Sequence, residues 1–219
     1  MPRLLFEKKE NAVWISHLDL MRLFQRAFKR AGLALTHTHG FNPRPSVSIA
    51  LPLSVGVASC CELLEFALDD QSCTNAEIRD RLNAVLVDGI RIIEVYDGGR
   101  KYGELSLLDC VIQLNYEQGI TEGAVDAISA LFSKSSLVLP KKTKSGIQDQ
   151  DIIPMIQEIA VDAIDGKTIE IKALICCQNP TLNPAQIPLA VSTYLPDLAP
   201  DTCEYKRCEI YDAKRIIFR

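Results

Sequence analysis

Apolar periodicity constrains this chain more than any other feature. It alternates between the two-residue repeat of strands and the 3.6-residue repeat of helices, and it does so in the same order twice. In the first half, residues 2–9 read as a strand, 16–31 as a helix, 46–53 and 62–69 as strands, 74–87 as a helix and 90–96 as a strand. In the second half, 107–116 read as a strand and 121–134 as a helix. Segments 137–141 and 151–160 are extended, 168–176 is a strand, 183–195 a helix and 203–211 a strand. Each half is therefore β-α-β-β-α-β, the order of the ferredoxin-like unit. The expected architecture is α+β, two tandem ferredoxin-like units with antiparallel sheets: an N-terminal unit at 1–98 and a C-terminal unit at 99–219, joined near Asp97-Gly98-Gly99-Arg100-Lys101. The duplication rests on element order alone, since no residue-level repeat is visible. Halves of this size each bury a core, though a modest one.

Local signals support the helices. Ser16 is the expected cap of the first helix, with Asp19 favouring its positive end, and Gly32 is its expected left-handed stop. Thr74 with Glu77 has capping-box spacing. Asn183 followed by Pro184 suggests a helix start, although Pro188 sits awkwardly inside that helix.

At ~100° per residue, Leu20, Leu23, Phe24, Ala27, Phe28 and Ala31 of the first helix share one side. Arg22, Arg26, Lys29 and Arg30 form a narrow arc on the other. Such a stripe is either a solvated face or a surface that tracks phosphates. Its charge context favours a focused anionic partner. The whole chain carries −4, but residues 1–50 carry eight Lys or Arg against three Asp or Glu, a net +5.

A stiff loop follows, Thr36-His37-Thr38-His39-Gly40-Phe41-Asn42-Pro43-Arg44-Pro45-Ser46. Two prolines restrict it. Phe41 either plugs the core beneath it or stacks on a base, with Asn42 and Arg44 supplying polar and phosphate contacts. All three histidines of the chain, His17, His37 and His39, lie in this region. His17 is either a structural residue of the helix's first turn or a general base, with Asp19 as its catalytic companion. His37 and His39 alternate on an extended segment and so share a face. They could contact a bound nucleotide, or hold a metal together with Asp19 or His17.

The eight cysteines contain no Cys-x-x-Cys pair, and the vicinal Cys60-Cys61 and Cys176-Cys177 point to opposite faces in a strand. Buried thiols are the expectation, with no metal site and no cofactor. No apolar run approaches the ~18 residues of a membrane span, and the N-terminus has no apolar leader. A cytoplasmic protein is expected.

Trp14-Ile15-Ser16-His17-Leu18-Asp19-Leu20-Met21-Arg22, then Gly40-Phe41-Asn42-Pro43-Arg44-Pro45, then Leu51-Pro52-Leu53 with Gly56, resemble a radical-SAM-linked bacterial family of unknown function, whose domain also occurs fused behind radical SAM modules. The resemblance is strongest over about residues 3–70. It extends thinly to Lys141-Lys142 and Asp151-Ile152, so Lys141, Lys142 and Lys144 join the candidate binding residues. It implies a radical SAM partner, many of which modify tRNA or ribosomal components. The chain itself has neither the Cys-x3-Cys-x2-Cys spacing of a radical SAM cluster nor a glycine-rich phosphate loop. The functional expectation is an accessory protein that binds tRNA, rRNA or another anionic substrate for that partner. The alternatives are an RNA-processing or RNA-modifying enzyme using His17, and a protein–protein adaptor.

Overall fold

The computed structural model of the chain describes residues 1–39, 41–143 and 146–219, and for residues 142 and 143 the backbone alone. Two compact units emerge, Met1–Tyr102 together with Arg219, and Gly103–Phe218. The architecture is mixed α+β with antiparallel sheets. Among the described residues, no helix is long and apolar enough to cross a membrane.

The first unit runs β1 (Pro2–Lys8), a 3-10 turn (Glu10–Trp14), α1 (His17–Arg30), β2 (Val47–Ile49), β3 (Val57–Phe66), α2 (Asn75–Asn83) and β4 (Ile90–Asp97). Its strands lie in the order β4-β1-β3-β2, each antiparallel to its neighbour. Leu20, Phe24, Ala27 and Phe28 of α1 bury the helix's apolar side against Leu4, Phe6, Leu64 and Phe66 of the sheet. Phe6 and Phe24 meet edge to face at 4.8 Å between centroids, and Phe28 and Phe66 lie 5.0 Å apart. These are the separations at which aromatic pairs are favourable.

The helix ends follow from their residues. Ser16 Oγ accepts from the Asp19 amide at 3.2 Å and donates to the Asp19 carboxylate at 2.8 Å. At the other end Leu33 N–H donates to Phe28 C=O (2.9 Å) and Gly32 N–H to Lys29 C=O (3.2 Å), a Schellman stop with Gly32 at φ +70°. Thr74 and Glu77 form the full capping box of α2.

The second unit runs β5 (Leu105–Asn115), α3 (Ala124–Phe132), β6 (Val138–Thr143), β7 (Gly146–Asp151), β8 (Ile156–Ala163), β9 (Thr168–Cys176), α4 (Gln186–Tyr194) and β10 (Thr202–Asp212). Its sheet has the order β10-β5-β9-β8, again antiparallel, while β6 and β7 form a separate two-stranded ribbon.

Several boundaries differ from the sequence reading. β3 covers Val57–Phe66 rather than 62–69. Gly56 turns the chain at φ +82°, and Ser59 then pairs with Lys8, so the strand starts in small residues that carry little strand signal. α2 stops at Asn83 rather than continuing to 87, because the Asn83 side chain is taken by the backbone of Ile92, donating at 2.9 Å and accepting at 2.8 Å. Extended segment 137–141 turns out to be half of a hairpin, not a strand of the main sheet. α4 begins at Gln186, without a side-chain cap. Asn183 Oδ1 instead accepts from the Ala185 amide, closing a turn ahead of the helix, and Pro188 falls within its first turn, where no amide is needed.

Candidate functional site

The candidate residues of the first unit divide between α1 and the loop that follows β-bridge residue Leu35. On α1, Arg22, Arg26, Lys29 and Arg30 are all exposed, opposite the buried Leu20, Phe24, Ala27 and Phe28. Asp19, Arg22, Arg26 and Arg30 line a depression of about 490 Å³, with Ile15, Leu23 and Val87 as its apolar lining. The four cations are not equivalent. Arg22 pairs with Asp19 at 2.9 Å, and Arg30 donates to the Val85 carbonyl at 2.6 Å, tying α1 to the turn after α2. Arg26 and Lys29 form no ion pair among the described residues. The Asp19 carboxyl is held below its usual range, first by the Ser16 hydroxyl and then by Arg22. It therefore stays an anion within the basic arc.

Residues 36–39 and 41–46 form two arms of a hydrogen-bonded stem. Thr36 N–H donates to Ala67 C=O (2.9 Å) and Ala67 N–H to Ser46 C=O (3.1 Å), fixing the base on the sheet. Ser46 N–H donates to Thr36 C=O and Thr38 N–H to Arg44 C=O, both at 2.8 Å, with a bridge between His37 and Pro45. Arg44 N–H also donates to Thr38 Oγ1 at 3.0 Å. This ladder projects a tip on which Phe41 is 100% exposed. The ring therefore does not plug the core. Asn42, Arg44, His37 and His39 are exposed beside it. Gly40 lies outside the described residues.

His17 is the first residue of α1, and its Nδ1 is buried with no hydrogen-bond partner. Asp19 is engaged by Ser16 and Arg22. Among the described residues, no three His, Cys, Asp or Glu side chains gather in a geometry that could hold a metal ion. All eight cysteines are free thiols, and burial pushes Cys110 up to about 12 and Cys177 to about 11, as for small core hydrophobes.

Of the candidates in the second unit, Lys141 is half-buried, and its Nζ donates to the Thr181 carbonyl at 3.3 Å. The side chain of Lys142 and the whole of Lys144 lie outside the described residues.

One residue of the site was not assigned a role from sequence. Trp14 ends the 3-10 turn and is 69% exposed. Its place could not be read from a periodic pattern, because a one-turn 3-10 segment carries none.

Comparison with known proteins places the chain. A family model described as uncharacterized proteins conserved in bacteria (DUF2344) matches residues 2–184. The chain belongs to this family. The match bears out the uncharacterised bacterial family expected from the motif, and a radical SAM association is no part of it. No curated protein matches the sequence of this DUF2344 chain. Among solved structures it is similar to a chain of a Cbf5-Nop10-Gar1 complex, with a TM-score of 0.53 at 9% identity, over 95% of this chain and 48% of that one. A chain of an archaeal box H/ACA sRNP Nop10-Cbf5 complex gives a TM-score of 0.49 at 10% identity, over 94% and 46%. The DUF2344 chain thus spans about half the length of these solved chains. At such identities the likeness is one of fold.

Proposed function

We propose that this protein is an accessory RNA-binding protein that presents tRNA or rRNA to a radical SAM enzyme in the cytoplasm. The observation that carries the reading is the fully exposed Phe41 on a hydrogen-bonded stem, in the same unit as the basic arc of α1. A whole aromatic ring held out on a hydrogen-bonded stem is available to stack on a base. Arg22, Arg26, Lys29, Arg30 and Arg44 supply phosphate contacts, Phe41 stacks, and Asn42, His37 and His39 give polar contacts. Lys141, Lys142 and Lys144 are further candidate contacts for the RNA, in the second unit.

The fold reading behind this is two tandem ferredoxin-like units, at 1–98 and 99–219. In its support, the two compact units share one connectivity: omitting the β6-β7 ribbon, each runs β-α-β-β-α-β with its first strand between its third and fourth. A gel shift with tRNA tests the binding. Phe41→Ala and Arg44→Ala should each weaken it, and unaltered binding in both would remove the loop from the interface. Capture of the radical SAM enzyme by the tagged protein tests the partner. If capture is lost in Phe41→Ala while tRNA binding persists, the loop is a protein-docking element and the adaptor reading replaces this one.

The unpartnered Nδ1 of His17 favours a second reading, a general base acting on RNA with Asp19 nearby. His17→Ala should then abolish turnover of RNA while sparing its binding. Turnover that survives the substitution excludes this role.

A further inference from the structure

Trp14 is exposed, yet the backbone on both sides of it is held by hydrogen bonds. Lys8 is 1% exposed, and its ammonium donates to the carbonyls on both sides of Trp14, to Val13 at 3.0 Å and to Ile15 at 2.8 Å. Gly56 N–H donates to Val13 C=O at 2.8 Å as well. The ring itself rests against Gly56: a Cβ there would stand 3.4 Å from Trp14 Cζ3. Burying an ammonium is unfavourable unless its hydrogen bonds are met. Here those bonds hold the backbone on either side of a tryptophan that is 69% exposed.

Trp14 lies three residues before the first residue of the basic helix. Ile15, the next residue, lines the same depression as Asp19, Arg22, Arg26 and Arg30. Leu18, one turn before Arg22, is also 67% exposed. A pre-positioned indole at the head of a row of guanidinium groups is the arrangement that takes an unpaired base above a phosphate chain. A duplex offers phosphates but keeps its bases stacked inside, so it would leave the indole uncovered. We infer that Trp14 is a base-stacking platform and that the RNA taken by this unit is single-stranded at that point, in a loop, bulge or unpaired end. This rests on the RNA-binding reading above. It adds the strandedness of the ligand and a contact residue outside the Phe41 loop.

Trp14 is the chain's one tryptophan, so its emission reports on this position alone. The test titrates the full-length protein with an oligoadenylate of about 12 nucleotides, a length typical of single-strand sites, and with the same strand annealed to its complement. The expected result is quenching of Trp14 emission by the single strand and little by the duplex. Trp14→Ala should lose about 5- to 150-fold of single-strand affinity, the range for one stacked base. Trp14→Phe should recover most of it. Thermal melts would confirm that both variants fold. Single-strand binding with unchanged emission and full affinity in Trp14→Ala would overturn the platform while leaving RNA binding intact. Equal quenching by the duplex would overturn the strandedness. Binding of neither probe, nor of tRNA, would overturn this inference together with the reading on which it rests.

Discussion

Phe41 contributes nothing visible to the fold, since its ring is fully exposed. Phe41→Ala should therefore change unfolding free energy by no more than about 0.5 kcal/mol. It should weaken RNA binding by about 1–3 kcal/mol, the usual loss for one stacked base. A denaturant melt and a binding isotherm on the same preparation check both halves. Asp19 makes a pH-dependent prediction. Its carboxyl titrates lower in the folded chain, because of Ser16 and then Arg22, so its contribution to stability is present above the unfolded carboxylate range and is lost as pH falls through the folded value. Asp19→Asn should melt below wild type at neutral pH, and the gap should close in acid. A gap that widened in acid would contradict the assignment. At this scale the cations of α1 were legible in sequence, because helical spacing alone puts 22, 26, 29 and 30 on one arc. The exposure of Trp14 was not. Whether an aromatic is covered depends on what packs over it, and that is decided by Lys8 and Gly56, six residues before it and forty-two after.

The elements explain why the site is rigid. α1 is closed at its start by Ser16 and at its end by Gly32, and it is bolted down by Phe24, which is fully buried against Phe6. Phe24→Ala should cost about 3–5 kcal/mol, and Ser16→Ala about 1 kcal/mol, both read from denaturant melts. In the second unit, β10, β5, β9 and β8 place Glu209, Asp109, Leu174 and Glu158 in one row across the sheet. Burial first, and then Glu209 and Glu158, raise the Asp109 carboxyl, with Lys172 opposing them. A carboxyl raised by folding favours the folded state at low pH and disfavours it as pH rises through the folded value. Asp109→Asn should therefore raise the melting temperature at neutral pH, with the gain fading in acid; a loss at neutral pH would mean that the charged form is stabilised instead. Helices and strands were largely legible, because caps and periodicity are local. The stop of α2 and the start of β3 were not, since both are set by distant partners, Ile92 for Asn83 and Lys8 for Ser59.

For the whole molecule, the mixed α+β class with antiparallel sheets was legible in the sequence, and the strand order within each unit is what the structure adds. The β6-β7 ribbon was hidden because β7, Gly146–Asp151, has a single large apolar residue, Ile147, and so carries no two-residue apolar repeat. A protein of net charge −4 that binds RNA must do so through a locally positive surface, and in the first unit Arg22, Arg26, Lys29, Arg30 and Arg44 are exposed. The central claim is that this surface contacts phosphates. The most direct measurement is tRNA affinity as a function of salt, for wild type and for Arg26→Ala/Lys29→Ala. Each phosphate contact to a single strand contributes about −0.7 to the slope of log affinity against log salt. Wild type should show a steep negative slope, and the double variant should lose about 1.4 of it. Affinity that ignores salt, or a slope unchanged by the double substitution, would contradict the claim.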